Sequence, residues 1–480
     1  MTLTVLRIGY MPTFSVSEYN ESLLSCCRTE KCIKRFFMTR HFIKLNLDMI
    51  ELFENIITGE RKSMYRTNHF HMIVDGDIQV PNVEDMDDKN FGTLIHEYVH
   101  YIQHITTLFG IRSCNIFHKF SIRYRAYIDG HDTIKLPLNI LDNNKAYVKY
   151  QNHIRNIFGD VSCGHNVDAV DVLKEDIESA RANHTAVKIG CYDFENNRIY
   201  EKGFKFGYLC VIESMAHIIQ TLFTESVYHS PVPYCAAELI IREIYPEIIN
   251  DRKLIASICF CALYWDNPSV GFFNVVKIAK ANPEWNGIEL FSHIGKDYAI
   301  KYNNVSMHRY LLVQDFLNEF KSTLTNLLGT QLDYYSLVID NCIKEAKNST
   351  SLLLNILYNV PLNDKQRVFG LLANYYGYPI IEANNIVILP NKSIVADTPK
   401  PYLETAVLFG WELLYTRFIE SKGQKACAHL FVCQKGIYSN PSQCTVTEEG
   451  ASEPWLKKED CPFTQCMRYF RFENKVFKED

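Results

Sequence analysis

Apolar side chains recur at helical spacing between residues 88 and 109. The positions that form this stripe are Phe91, Leu94, Ile95, Tyr98, Ile102, Ile105 and Phe109. Asp87 or Asp88 is suited to cap the start of the helix, and Gly110 is suited to end it. Another face carries Thr93, His96, His100, Gln103 and Thr107. The pattern predicts one amphipathic helix whose polar face lies beside the core and lines a cleft.

A second, more apolar run predicts a largely buried helix around residues 207–219. Its apolar positions are Leu209, Val211, Ile212, Met215, Ile218 and Ile219. Glu213 lies within this run, where a carboxylate is costly unless it binds a cation. The small side chains of Ser214 and Ala216 would let another helix approach closely. Glu213 is therefore either a metal ligand or the partner of a buried lysine or arginine.

Shorter patterns outline the rest of the chain. Residues 70–74 and 77–80 predict a strand or hairpin that ends at Pro81 and could form the wall of the cleft. A further hairpin is expected around residues 195–197. Helical periodicity dominates residues 236–300 and 308–420, with breaks at Pro268, Pro283, Pro361, Pro379 and Pro390.

The amphipathic helix contains an H-E-x-x-H sequence that begins at His96. His96 and His100 are four residues apart and share a face, so their imidazoles can bind one Zn²⁺, while Glu97 can deprotonate a water. His104 lies two turns beyond His96, about 12 Å along the axis, and cannot reach the same ion. Because catalytic zinc takes three protein ligands, we expect Glu213 to be the third. The competing interpretation is a solvated helix face that carries His and Glu by chance.

These residues resemble the gluzincin branch of the zinc metallopeptidases. The resemblance rests on His96, Glu97 and His100, followed by a helix that carries Glu213 with Ala216, and it covers about residues 65–240. It implies that His96, His100 and Glu213 bind zinc and that Glu97 is the general base. It also implies that a peptide substrate lies along a sheet edge. Glu213 follows His100 by 113 residues, which requires an inserted subdomain.

The resemblance and the periodicity together predict an α+β fold that is predominantly α-helical. We expect a zincin-like core with a small mixed sheet, an inserted subdomain and a helical C-terminal region. The predicted segments are an N-terminal α/β region (1–64), a catalytic domain (65–300, with the insertion at about 125–202), a helical domain (301–420) and a Cys-rich segment (421–480). The 480 residues are enough for two to four domains.

The chain contains 16 cysteines, of which five are concentrated near the C-terminus: Cys427, Cys433, Cys444, Cys461 and Cys466. In a reducing compartment cysteines are thiols or metal ligands rather than disulfides. The five could hold a second, structural zinc, but none of them forms a tight C-x-x-C pair. The sequence favours reduced thiols that pack in the core over this second zinc site.

Charge and hydropathy limit the partners. A net charge of −5 gives no indication of nucleic acid or of an anionic membrane surface. The longest apolar stretch, residues 254–265, is too short to cross a bilayer and predicts a buried helix instead. The start of the sequence lacks the features of a signal peptide. We therefore expect a cytoplasmic protein whose partner is a protein or peptide substrate; the sequence does not indicate the oligomeric state.

Two functions fit the sequence. The first is a zinc-dependent endopeptidase that cleaves an intracellular protein substrate with a water activated by Glu97. Candidates for stabilising the oxyanion are His217, Tyr228, His229 and Tyr234, and the sequence does not decide among them. The second is a non-catalytic zinc-binding interaction or regulatory protein with a degenerate zincin core. Glu97 favours the first, because a structural zinc site does not need a base at that position.

Overall fold

A computed structural model of the chain describes residues 4–5, 63–80, 82–136, 138, 145–163, 167–193, 198–224, 229–297, 299–302, 305–383, 386–389, 401–415, 418–419 and 462–479. Its helices are α1 (Asp88–Thr106), α2 (Leu108–Asp129), α3 (Lys145–Ile157), α4 (Lys174–Asn183), α5 (Tyr208–Gln220), α6 (Pro231–Tyr234), α7 (Ala236–Ile244), α8 (Arg252–Ala262), α9 (Pro268–Ala281), α10 (Gly287–Lys296), α11 (Arg309–Leu328), α12 (Tyr334–Asn348), α13 (Leu352–Asn359), α14 (Lys365–Tyr376), α15 (Pro401–Tyr415) and α16 (Pro462–Tyr469).

The strands are β1 (Thr4–Val5), β2 (Met64–Arg66), β3 (His71–Val74), β4 (Thr133–Leu136), β5 (Ala169–Asp171), β6 (Val187–Asp193), β7 (Arg198–Phe206), β8 (Ala299–Tyr302), β9 (Val305–His308), β10 (Ile380–Ala383), β11 (Ile386–Leu389) and β12 (Val476–Glu479). Single 3-10 turns cover Thr67–His69, Val83–Asp85 and Pro246–Ile248. The predicted α+β class, mainly helical with small mixed sheets, is confirmed. The zincin-like core stays a prediction.

Helix α1 begins as the sequence predicts but ends earlier. The side chain of Asp87 accepts a hydrogen bond from the backbone N–H of Asn90 at 2.7 Å and caps the first turn. The helix ends after Thr106, and Thr107 then caps α2 by accepting from the N–H of Gly110 at 3.1 Å. The prediction that Gly110 ends α1 is therefore wrong, because Gly110 lies in α2. A Cβ atom there would come within 2.5 Å of the Gln103 carbonyl oxygen, so the close approach of the two helices requires glycine.

The main sheet has the strand order β1-β11-β10-β3-β2. Strands β3 and β10 are parallel, and the other neighbours in this sheet are antiparallel. The predicted strand at residues 70–74 is present, but residues 77–80 do not form one, and β3 pairs with the earlier strand β2 instead. Because β3 has a partner on each side, it is not the edge along which a peptide could add. In the described part of the chain the two edge strands of this sheet are β1 and β2.

The helices predicted around the motif form one layer of the core. Helix α1 packs against α5, and α5 packs against α8, which contains the apolar stretch expected to be a buried helix. Every residue of α1 from Leu94 to Thr106 is buried. The polar face of α1 is therefore covered rather than open to a cleft, and α5 is the helix that packs most extensively against α1. The predicted helical content of residues 236–300 and 308–420 is confirmed in outline, with the β8–β9 hairpin and the strands β10 and β11 as exceptions.

The segment predicted as an insertion forms a three-stranded antiparallel sheet in the order β5-β6-β7. Strands β6 and β7 pair antiparallel, with Asp193 opposite Arg198, and the turn expected around residues 195–197 lies outside the described residues. Buried side chains of this sheet, among them Val187 and Ile189, belong to the same hydrophobic cluster as those of α1 and α5. Phe206 at the end of β7 contacts Phe272 on α9 with ring centres 5.1 Å apart. The predicted domain bounds and the inserted subdomain stay predictions.

A buried charge network connects the main sheet to α15. Arg66 on β2 donates to the Glu412 carboxylate at 2.5 Å, and His71 on β3 lies 3.2 Å from the same carboxylate. The other ring nitrogen of His71 is 3.4 Å from Glu382 on β10. Burial alone would raise the pKa of Glu412, but the charges of His71, His69 and Arg66 hold it well below its usual range.

The C-terminal cysteines fall mostly outside the described residues, which exclude Cys427, Cys433, Cys444 and Cys461. Cys466 is buried on α16, where its sulfur faces Gly410 of α15, and a Cβ atom on that glycine would lie 2.7 Å from it. The predicted structural zinc in this segment therefore stays a prediction.

Candidate metal centre

Helices α1 and α5 bring His96, His100 and Glu213 to one point. The two imidazoles lie one turn apart on α1, with ring centres 5.0 Å apart. The Nε2 atom of His96 is 3.2 Å from Oε2 of Glu213, and the Nε2 atom of His100 is 3.4 Å from the same oxygen. All three residues are buried. The structure thus unites the three residues that the sequence proposed as ligands.

The separations match those between ligands of one zinc ion. Bonds of about 2.0–2.2 Å in a tetrahedral site place neighbouring ligand atoms about 3.3 Å apart. The two nitrogen–oxygen distances, 3.2 and 3.4 Å, fall on either side of this value. The three ligand atoms lie within 4.8 Å of one another. An ion could therefore bind there without a large movement of the side chains.

The close approach of α1 and α5 depends on a glycine. A Cβ atom on Gly92 would come within 2.4 Å of Thr224 and 3.3 Å of Gln220, both at the end of α5 or just after it. The sequence assigned this role to Ser214 and Ala216, but Ser214 faces a different element. Its hydroxyl donates to the Pro233 carbonyl at 3.0 Å and accepts from the Ala237 N–H at 3.1 Å. Ser214 therefore fastens α5 to the start of α7.

Gln103 sets the orientation of His100. Its amide nitrogen donates to the Ile212 carbonyl at 3.0 Å, which fixes which end of the amide is oxygen. That oxygen lies 2.9 Å from Nδ1 of His100 and can only accept, so Nδ1 carries the proton. The Nε2 atom of His100 therefore presents a lone pair to Glu213.

Gln220 sets the orientation of His96. Its amide oxygen lies 3.1 Å from Nδ1 of His96 and 3.2 Å from Nε2 of His229. Because this oxygen accepts both bonds, Nδ1 of His96 is protonated and its Nε2 has a lone pair. Such partners on the distal nitrogen are typical of metal-binding histidines, whose tautomer and ring direction they fix.

With both Nδ1 atoms bonded to glutamine oxygens, the centre presents two imidazole Nε2 atoms and one carboxylate oxygen to a common point. A cation at that point would be attracted by all three atoms, and burial would leave this attraction poorly screened. The imidazole and carboxylate set suits Zn²⁺, and three protein ligands leave one position for water. The residues present therefore fit a zinc ion.

Glu97 and His104 are also on α1. Glu97 follows His96 directly and is buried, with 2% of its surface exposed. Nδ1 of His104 donates to the His100 carbonyl at 2.8 Å, and its ring lies against Tyr65. Burial lowers the pKa of His104 to about 4. His104 does not join the candidate metal group, as its spacing along the helix predicts.

Two of the four candidates for oxyanion stabilisation lie beside His96. The rings of His229 and Tyr234 stack on each other, with centres 4.3 Å apart, and each centre is 6.0 Å from that of His96. His217 is farther along α5 and contacts His229 and Cys235. Tyr228 is outside the described residues. Among the candidates that the structure describes, His229 and Tyr234 lie beside His96. Which residue stabilises the oxyanion stays a prediction, and Tyr228 stays among the candidates.

Sequence reasoning assigned no role to Gln103 or Gln220. Both were detectable by spacing, because Gln103 follows His100 by three residues and Gln220 follows Glu213 by seven, which is two helical turns. What the spacing could not supply was the contact of each amide with the other helix, the Gln103 nitrogen with the Ile212 carbonyl on α5 and the Gln220 oxygen with His96 on α1.

No protein-family model matches the chain, and no curated protein or solved structure is significantly similar to it. The resemblance to gluzincins therefore rests on the motif and on the geometry alone. Within the described ranges, we find no helix that is long and apolar enough to cross a membrane.

Proposed function

We propose that the chain is a zinc-dependent endopeptidase of the gluzincin type. His96, His100 and Glu213 would hold the ion, and Glu97 would act as the general base. The observation that carries the proposal is the meeting of two imidazole Nε2 atoms at one carboxylate oxygen, at 3.2 and 3.4 Å, with both Nδ1 atoms bonded to glutamine oxygens.

The chemistry follows from these roles. Zinc at this point would lower the pKa of a water to near 7 and polarise the carbonyl of the substrate. Glu97 takes the proton of the attacking water and delivers it to the leaving amine. His229 or Tyr234, both beside His96, donates a hydrogen bond to the oxyanion that develops on the carbonyl. Gln103 and Gln220 hold the two imidazoles in the binding tautomer.

One observation favours the alternative, a non-catalytic zinc-binding interaction or regulatory protein. His96, His100 and Glu213 each expose only 4% of their surface, and structural zinc sites are usually closed while catalytic ones keep an open position. Catalysis at so buried a site would require that elements covering it move when substrate binds. We place the activity in the cytoplasm, with a protein or peptide as substrate.

Metal analysis combined with a cleavage assay tests the proposal. We expect at least one zinc per purified chain, and cleavage of a casein-like substrate or of lysate proteins that stops with a chelator and returns when zinc is added. Zinc without cleavage would support the non-catalytic alternative. A chain without zinc that also fails to bind added zinc would refute both functions.

A further inference from the structure

A second group of metal-binding side chains lies one turn farther along α5. It consists of His217 on α5, Cys235 just before α7, and Glu238 in the first turn of α7. Their ligand atoms lie within 4.8 Å of one another, and the sulfur of Cys235 is 3.7 Å from Nε2 of His217. His217 is buried, whereas Cys235 and Glu238 are partly exposed.

Backbone packing, rather than side-chain rotation alone, brings these residues together. The Ser214 hydroxyl bonds to the Pro233 carbonyl and to the Ala237 N–H, one on each side of Cys235. These two buried bonds hold the chain around Cys235 against α5, on which His217 lies. Cys235 is the N-cap residue of α7 and Glu238 is its third helical residue, a spacing that places the two side chains together at the start of a helix.

The buried side chain of His217 has a polar atom that the rest of the fold does not use. Its Nδ1 atom has no hydrogen-bond partner among the described residues, while its Nε2 atom faces the thiol of Cys235. The imidazole of His217 is held by a contact with a thiol. It is therefore held less firmly than the two imidazoles of the first centre, each of which bonds to a glutamine through its Nδ1 atom. A metal on Nε2 would add a strong bond to this weakly held ring.

The donor types define the class of ion. A thiolate, an imidazole and a carboxylate are ligands of Zn²⁺ and of similar transition metals, whereas Mg²⁺ and Ca²⁺ prefer oxygen. We propose that His217, Cys235 and Glu238 form a second zinc-class metal site, distinct from the centre at His96, His100 and Glu213. The three ligands leave one coordination position for water.

The protonation states are compatible with this site. Burial is the largest cause that lowers the pKa of His217, to about 3, so its imidazole is neutral and able to bind a metal. Burial and the Glu238 carboxylate raise the pKa of Cys235 to about 11. The Cys235 sulfur is therefore a thiol before the ion binds. Formation of the metal–sulfur bond releases one proton to water, and no electrons are transferred.

Arg252 is the competing partner in this group. Its Nε and Nη2 atoms contact Oε1 of Glu238 at 3.3 and 3.2 Å, and its Nη1 atom donates to Thr221 at 2.9 Å. Both contacts with Glu238 use Oε1, so Arg252 does not engage the second carboxylate oxygen through them. The nearby guanidinium charge repels a cation, so we expect weaker binding here than at the first centre.

The second site adjoins the first but does not depend on its chemistry. The ring of His229 lies between them, 5.0 Å from His217 and 6.0 Å from His96. Tyr234 directly precedes Cys235, so an ion bound to Cys235 would also restrain Tyr234 beside the first centre. The proposal concerns metal binding alone and holds whether or not the chain cleaves peptides.

Cobalt titration of the full chain tests the proposal, because the first centre contains no thiolate. Co²⁺ bound to sulfur gives a charge-transfer absorption in the near ultraviolet that nitrogen and oxygen ligands do not give. We expect Cys235→Ser to bind one equivalent of Co²⁺ fewer than the unmodified chain and to lose the corresponding part of this absorption. Cys163→Ser, at another half-buried cysteine, is the matched control and should behave like the unmodified chain.

Sulfur ligands in the C-terminal segment would contribute equally to all three proteins and cancel in the comparison. If Cys235→Ser fails to fold, as judged by circular dichroism, Glu238→Gln replaces it and should weaken the same equivalent at least about tenfold. Equal cobalt stoichiometry and equal absorption in the unmodified chain and Cys235→Ser would overturn the proposal. An unchanged affinity in Glu238→Gln would overturn it as well.

Discussion

The amide oxygen of Gln220 lies 3.1 Å from Nδ1 of His96, and this bond turns the Nε2 atom of His96 towards Glu213. A residue two turns beyond the glutamate on α5 thus sets the tautomer of a histidine on α1. The bond couples the packing of the two helices to the geometry of the metal centre.

Gln220→Leu should weaken zinc binding by about 10- to 100-fold, because loss of a partner on the distal nitrogen has this effect at other zinc sites. The leucine keeps a similar volume, so the fold should persist. Competition against a chelating dye would measure the affinity. Gln331→Leu, at an exposed position, is the control and should bind zinc as before. Equal affinities for both variants would show that Gln220 does not support the centre.

Glu97→Gln should reduce peptide cleavage by at least about 10²-fold, because the amide cannot accept the proton of the attacking water. Zinc content and thermal stability should stay close to those of the unmodified chain, since Glu97 is not a proposed ligand. Steady-state kinetics together with metal analysis would check both statements. Cleavage at the original rate would contradict the role of Glu97.

Glu213→Ala should remove zinc binding and activity together, in contrast with Glu97→Gln, which should remove activity alone. The alanine takes away the oxygen on which both imidazoles converge and leaves a two-ligand site. Zinc content after dialysis is the measurement. If Glu213→Ala retains a full equivalent of zinc in its first centre, the ion must have a different third ligand.

Tyr234→Phe and His229→Gln, made separately, should identify the group that stabilises the oxyanion. Loss of one such donor lowers kcat by about 10²- to 10³-fold, and zinc content should remain normal. Tyr310→Phe, at a tyrosine on α11, serves as the control for loss of a hydroxyl. If neither variant lowers kcat by tenfold, the donor lies elsewhere in the chain.

Glu412→Gln should lower the free energy of unfolding by about 3–5 kcal/mol, because it leaves Arg66 and His71 buried without their carboxylate. Urea denaturation would measure the difference. The matched control is Glu319→Gln, which breaks an exposed ion pair with Lys119 and should cost less than about 1 kcal/mol. A similar cost for the two variants would mean that the buried network adds little stability.

The loss caused by Glu412→Gln should also depend on pH. The pKa of Glu412 is held low, so its contribution is full above about pH 4.3, the unfolded value, and disappears as the pH falls through the folded value. Burial alone would lower the pKa of His71, but Glu412 and Glu382 raise it overall. The stability that protonated His71 contributes is therefore full below about pH 6.5, its unfolded pKa, and disappears as the pH rises through its pKa in the folded protein. The difference in unfolding free energy should therefore be largest between about pH 4.5 and 6.5.

Features that depend on near neighbours along the chain could be predicted from the amino-acid sequence. The H-E-x-x-H spacing places His96 and His100 on one helix face, since backbone hydrogen bonds fix 3.6 residues per turn. The apolar run around Glu213 likewise predicted α5, and the same geometry excluded His104. The predicted end of α1 was wrong. The contact between Gly110 and the Gln103 backbone comes from the packing of α2 on α1, which local spacing does not show.

Contacts between residues that are distant in the sequence could not be predicted, because they depend on how the elements pack. Glu213 reaches the imidazoles from 113 residues away because α5 packs on α1 past Gly92. The grouping of His217, Cys235 and Glu238 depends on the bonds that join α5 to the start of α7, and β3 finds its parallel partner β10 some 300 residues later. Local periodicity indicates which face of an element is apolar. Which other element packs against that face depends on packing and on buried hydrogen bonds between distant parts of the chain.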